Sequence, residues 1–135
     1  MIRLELPWPP STNKQHGQRG TRRYSTKAVR SYRETVAKIC MMERIKPLAG
    51  ELICVLQLHP RKRWSGDVDN LKKVLYDALE KTCRCFANDR QIKTELVDVH
   101  AAEATGRIFC ILYPRGEVKR IEMTIGQEGC GVEFA

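Results

Sequence analysis

What this chain lacks narrows it first. No stretch approaches the ~18 consecutive apolar residues of a membrane-spanning helix, and Glu5 with three prolines in the first ten residues argues against a secretory leader. Six cysteines are present, yet no Cys-x-x-Cys and no His-x-x-x-His occur; Cys83 and Cys85 stand one residue apart, so zinc-ligand spacing is missing. We therefore read all six as reduced, small apolar residues of a cytoplasmic protein. No internal repeat and no low-complexity linker divides the 135 residues, a length that supports one core.

Acid is missing locally too. Between Leu6 and Glu34 there is no Asp or Glu, while Lys14, Arg19, Arg22, Arg23, Lys27, Arg30 and Arg33 supply positive charge. With a net charge of +8 and a second basic run at Arg61-Lys62-Arg63, the pattern favours a polyanionic partner, nucleic acid above all. Lys14, Arg19, Arg22, Arg23, Lys27, Arg61, Lys62 and Arg63 are the expected DNA contacts.

The periodicities predict an α+β domain: a mostly antiparallel sheet with two principal helices. Alternation marks a strand at Ile2–Leu6, stopped by Pro7-Trp8-Pro9-Pro10. Residues 11–24 read as a loop. Ser25 or Thr26 caps a helix in which Val29, Tyr32, Val36, Ile39 and Cys40 share a face, ending near Lys46-Pro47. A central strand is expected at Glu51–Leu58, and a helix from about Val68 that buries Leu71, Val74, Leu75, Ala78 and Leu79. Strands then follow at Ile92–His100, Arg107–Tyr113 and Lys119–Ile125, before a glycine-rich tail from Gly126 expected to fray.

Inside this basic chain lies an acidic constellation. Asp67-Val-Asp69 opens the second helix, and Asp89 follows in a turn. Each alone has an ordinary explanation: Asp67 and Asp69 as helix caps, Asp69–Lys73 and Lys73–Asp77 as exposed ion pairs of about 0.3–0.5 kcal/mol, Asn88-Asp89 as turn chemistry. Together, three oxygen ligands suit Mg²⁺, with Mn²⁺ as a substitute. Such an ion polarises a phosphodiester and activates water. Lys73, one turn beyond Asp69, is placed to offset transition-state charge. His16, His59 and His100 form no triad with Ser or Cys. Trp8 and Trp64 are either packing residues or surfaces on which bases stack.

Several segments in order carry a family resemblance: Leu6-Pro-Trp-Pro-Pro-Ser11 with Asn13; Ser31 to Ile39; Asp67-Val-Asp-Asn-Leu71 with Lys73 and Asp77-Ala-Leu79; Asn88-Asp89 with Gln91-Ile92; and Gly106-Arg-Ile108. Across about residues 1–113 the chain resembles the RusA-type Holliday-junction resolvases, small bacterial and phage endonucleases. The resemblance implies a homodimer that uses Mg²⁺ or Mn²⁺ to cut two opposed strands of a four-way junction, in DNA recombination and repair. It matches Asp67, Asp69 and Asp89 to the metal carboxylates and Lys73 to the essential lysine. No nucleotide cofactor and no membrane partner are expected. A nuclease for flaps, or a non-catalytic DNA-binding module, is the alternative. Residues 114–135 form an extension outside the resemblance.

Overall fold

The structure is a computed structural model that describes residues 1–11, 16–19, 22–82 and 84–135, with backbone alone for 16–19 and 22–25. Four strands form the central sheet: β1 (Ile2–Pro7), β4 (Leu52–His59), β5 (Ile92–Val99) and β6 (Arg107–Pro114), in the order β1-β6-β4-β5. β6 runs antiparallel to β1 and β4, whereas β5 lies parallel to β4. The sheet is thus mostly antiparallel, as expected, with one parallel edge. All eight residues of β4 are buried, because both its faces are covered and both its edges paired.

Helix α1 (Lys27–Met42) is capped by Thr26 and buries Val29, Tyr32, Val36 and Cys40. It stops four residues before the expected Lys46, where Arg44 adopts a left-handed φ of 52° and breaks the helical path. Helix α2 (Val68–Lys81) buries the predicted stripe of Leu71, Val74, Leu75, Ala78 and Leu79, together with Tyr76. Both helices pack on one sheet face in a cluster with Leu4, Leu56, Phe86 and Leu112.

Where a loop is expected, at residues 11–24, the described residues include two strands. β2 (His16–Arg19) and β3 (Arg22–Ser25) pair as an antiparallel ribbon. Lys14 lies outside the described residues, as do the side chains of Arg19, Arg22 and Arg23.

The C-terminal segment also differs from expectation. The strand expected at Lys119–Ile125 is present as β7 (Val118–Glu122), but it pairs with β8 (Gly131–Phe134), so the tail from Gly126 carries a paired strand rather than a fraying end. Val118, Ile121, Met123, Cys130 and Val132 cover Ile53, Val55, Ile111 and Tyr113 on the second face of the sheet. Its turn is fastened by Gln57, a fully buried amide in β4. Gln57 donates to the carbonyls of Gln127 (2.8 Å) and Gly129 (3.2 Å) and accepts from the Gly129 N–H (2.8 Å).

Cysteine usage is mixed. Cys54, Cys85 and Cys110 are buried free thiols and Cys130 is a free, half-buried one, but Cys40 is disulfide-bonded. The expectation of six reduced cysteines therefore fails at Cys40.

Candidate nuclease site and its basic cleft

The sheet's register gathers the functional segments at one end. Pro7 and His59 both pair with Arg107, and Leu58 pairs with Val99. The segments following β1, β4 and β5 therefore emerge together. Tyr32 of α1 donates to the Pro7 carbonyl at 3.0 Å, tying the Trp8–Ser11 segment to the helical layer.

The basic loop after β4 is pinned from below. Glu103 donates its backbone N–H to the Pro60 carbonyl (2.7 Å) and accepts from the Lys62 N–H (3.1 Å). Gly106 makes this approach possible: a Cβ there would lie 2.6 Å from the Arg61 nitrogen, and its φ is +76°. Arg63 is left-handed at φ 67° and Gly66 at 85°. A non-glycine residue in that region carries strain of roughly 1–3 kcal/mol, the kind found at binding sites.

Trp8 and Trp64 pack on each other edge to face, ring centroids 5.2 Å apart at 79°, and lean on the core. With Pro9, Pro10, Arg61 and Arg63 they enclose a cleft of about 190 Å³ that Asp67 and Asn70 also line. The tryptophans are therefore packing residues and cleft walls at once.

Asp67 caps α2 and accepts from the Asn70 N–H at 3.1 Å, and its second carboxylate oxygen accepts from the Asn70 amide. A carboxylate offers about four lone-pair positions, so Asn70 fixes the group while leaving acceptors for a further partner. The sequence shows Asn70 only as part of the Asp67-Val-Asp-Asn-Leu71 segment, with no role of its own; its position directly after Asp-x-Asp was the available signal. Asp69 projects with 89% of its side chain exposed and lies 3.7 Å from Lys72. Lys72 in turn bonds Glu95 of β5 at 2.6 Å, and that bond raises its pKa above the ordinary lysine value. The helix pairing expected of Lys73 is thus taken by Lys72. Lys73 is exposed and makes no ion pair among the described residues.

Asp89 lies elsewhere. It opens a 3₁₀ turn, Asp89–Gln91, and its N–H bonds Glu80 near the last turn of α2 at 3.0 Å. Strand β5 then begins at Ile92 opposite Leu52, the start of β4. Eleven residues of helix from Asp69 to Glu80 span roughly 16 Å, so Asp89 stands at the opposite end of α2 from Asp67 and Asp69. Consistently, no group of three or more His, Cys, Asp or Glu able to hold a metal occurs within the chain among the described residues. The donors fit a hard divalent cation in kind, and two of the three stand at the start of α2, Asp67 as its cap and Asp69 in its first turn; the third is not brought to them within one chain.

His59 and His100 are structural. They stack at 4.5 Å. His59 lies 3.0 Å from Glu128 and His100 3.2 Å from Asp98.

Fold and site together define a small α+β protein in which Asp67 lines a basic, tryptophan-walled cleft and Asp69 stands exposed in the first turn of the same helix. Residues 7–112 match the profile of the family described as endodeoxyribonuclease RusA, and the chain belongs to that family. It is 33% identical over 79 residues to the crossover junction endodeoxyribonuclease RusA of Escherichia coli strain K12. Identity is 33% to the protein of that name in Enterobacteria phage 82 and 32% to that of Shigella sonnei. In each case the matched stretch is 58% of this chain and 66% of the relative's length.

Proposed function

We propose that this protein is a divalent-metal-dependent endodeoxyribonuclease that resolves four-way DNA junctions in the cytoplasm, working as a homodimer. The observation that carries the reading is the placement of Asp67 and Asp69 at the start of α2, with Asp67 lining the Arg61/Arg63 cleft, in a chain of this family. Mg²⁺ is the ion of choice for an all-oxygen donor set, with Mn²⁺ as substitute.

Asp67 and Asp69 hold the ion, and the third ligand is Asp89 of the partner subunit, since a chain's own Asp89 lies at the far end of α2. When bound, the ion supplies Lewis-acid activation of phosphate and water. Arg61, Lys62 and Arg63, all exposed, position the backbone by phosphate contacts that carry no sequence information. Asn70 keeps the Asp67 carboxylate turned to the cleft. Lys73, which makes no ion pair among the described residues, stabilises charge developing on the phosphate as water adds to phosphorus and the P–O bond breaks.

Asp67→Asn tests this cleanly, because Asn caps a helix about as well as Asp. Fold and junction binding should persist while paired nicking of a synthetic four-way junction in Mn²⁺ disappears. The same loss is expected for Asp69→Asn and Asp89→Asn. Parental cutting rates in all three variants would refute the assignment, and a parent protein that binds junctions but never nicks them would make it a binding module.

A further inference from the structure

The cleft beside Asp67 has walls that phosphate binding alone does not require. A phosphate asks for cations and N–H donors, which Arg61 and Arg63 provide; the lining also includes the apolar side chains of Trp8, Pro9, Pro10 and Trp64. Both tryptophans are half-buried and locked edge to face, so neither projects as a wedge into a duplex. They form a rigid wall with little rotamer freedom to lose on binding. The basic loop is held in an unusual backbone conformation at Arg63, supported through Lys62, Glu103 and Gly106. At about 190 Å³ the cleft is too small for a base pair. Aromatic rings and guanidinium groups lining one cleft suit any single base, because every base offers a π-face.

We propose that the cleft binds one unstacked nucleobase of the strand whose phosphate lies at Asp67 and Asp69. The inference rests on the proposed role of that acidic pair and adds a subsite to it. Nucleotides at a branch point are the ones whose unstacking costs least. Seating one base against Trp64 selects distorted DNA over intact duplex and sets the adjoining phosphate beside the carboxylates.

The test scans a synthetic four-way junction with a single abasic residue at each nucleotide flanking the cut, measuring affinity in EDTA so that no cleavage occurs. One abasic position should weaken binding by the wild-type protein about tenfold or more. Trp64→Ala should show a similar loss on the intact junction and no further loss on that abasic junction, whereas Trp64→Phe, which keeps an aromatic face, should retain most of the abasic penalty. Should Trp64→Ala fail to fold, Arg63→Ala replaces it in the same comparison. Equal affinity for every abasic junction, or losses that simply add between variant and abasic site, would overturn the proposal. Because affinity is read without metal, that failure is separable from failure of the nuclease reading, which is judged by cutting with Asp67→Asn.

Discussion

Lys73 and Lys72 are neighbours with different fates, and the difference rests on which face of α2 each occupies. Lys72 is held by Glu95 and braces the helix against β5. Lys73 points away and stabilises nothing visible in the fold, so removing it should cost about 0.5 kcal/mol or less. A charge aimed at the transition state contributes on the order of 3 kcal/mol, about a hundredfold in rate. Lys73→Ala should therefore slow single-turnover cleavage about a hundredfold with an almost unchanged melting temperature; a large melting shift with normal cleavage would assign it to the scaffold instead. Gly106 predicts the reverse pattern. A methyl group there meets the Arg61 backbone at 2.6 Å, and backbone, unlike a flexible side chain, cannot swing aside. Gly106→Ala should lower stability by roughly 1–3 kcal/mol, measured by urea unfolding, and should weaken junction binding because the basic loop rests on that contact.

At the scale of elements, β8 and the turn before it are what the sequence concealed, whereas the strand expected at Lys119–Ile125 is present as β7. The stripe on α2 and the apolar run of β4 were legible because burial follows period in a helix and a doubly covered strand is apolar throughout. The tail instead shows glycines at 126, 129 and 131, which suit fraying as well as a tight turn. Its single advance signal was Gln57, a polar residue in the middle of that apolar strand, whose buried amide needs partners. The same turn carries Glu128 to Arg107 (2.5 Å) and His59 (3.0 Å), with Glu103 on the other side of His59 at 3.5 Å. Burial lowers the His59 pKa most, helped by Arg107 and His100, against the opposing pull of Glu103 and Glu128. Between that lowered value and the ordinary 6.5, the unfolded chain binds more protons than the folded one, so stability falls as pH drops through that window. Arg107 depresses the pKa of Glu128, so its contribution persists above the ordinary carboxylate range and is lost only as pH falls through the depressed value. Scanning calorimetry from pH 7 to pH 5 should show a falling melting temperature, and His59→Gln should flatten that slope. An identical slope in the variant would exclude His59 as its source.

For the whole molecule, the decisive fact is that Asp89 and the Asp67–Asp69 pair stand at opposite ends of one helix. The spacing from Asp69 to Asp89 could not reveal this, since twenty residues of helix and turn lead either back to the helix start or on past its end. Only the bond from Asp89 to Glu80 and the pairing of Ile92 with Leu52 decide it. One sheet face is covered by α1 and α2 and the other by the C-terminal strands, which leaves the outer stripe of α2 as a surface for a second copy. A two-fold axis near the middle of that stripe would set the start of one α2 opposite the end of the other, completing two equivalent sites at once. Mixing protomers tests this directly. In a heterodimer of Asp69→Asn with Asp89→Asn chains, shared sites would place both substitutions in one site and leave the other intact. Two individually inactive proteins, refolded or co-expressed together, should then regain nicking of one junction strand but not the paired cut. If each chain instead built its own site, every site in the mixture would carry one substitution and no nicking would return. Differently tagged chains, purified through both tags and assayed on an end-labelled junction, distinguish the two outcomes.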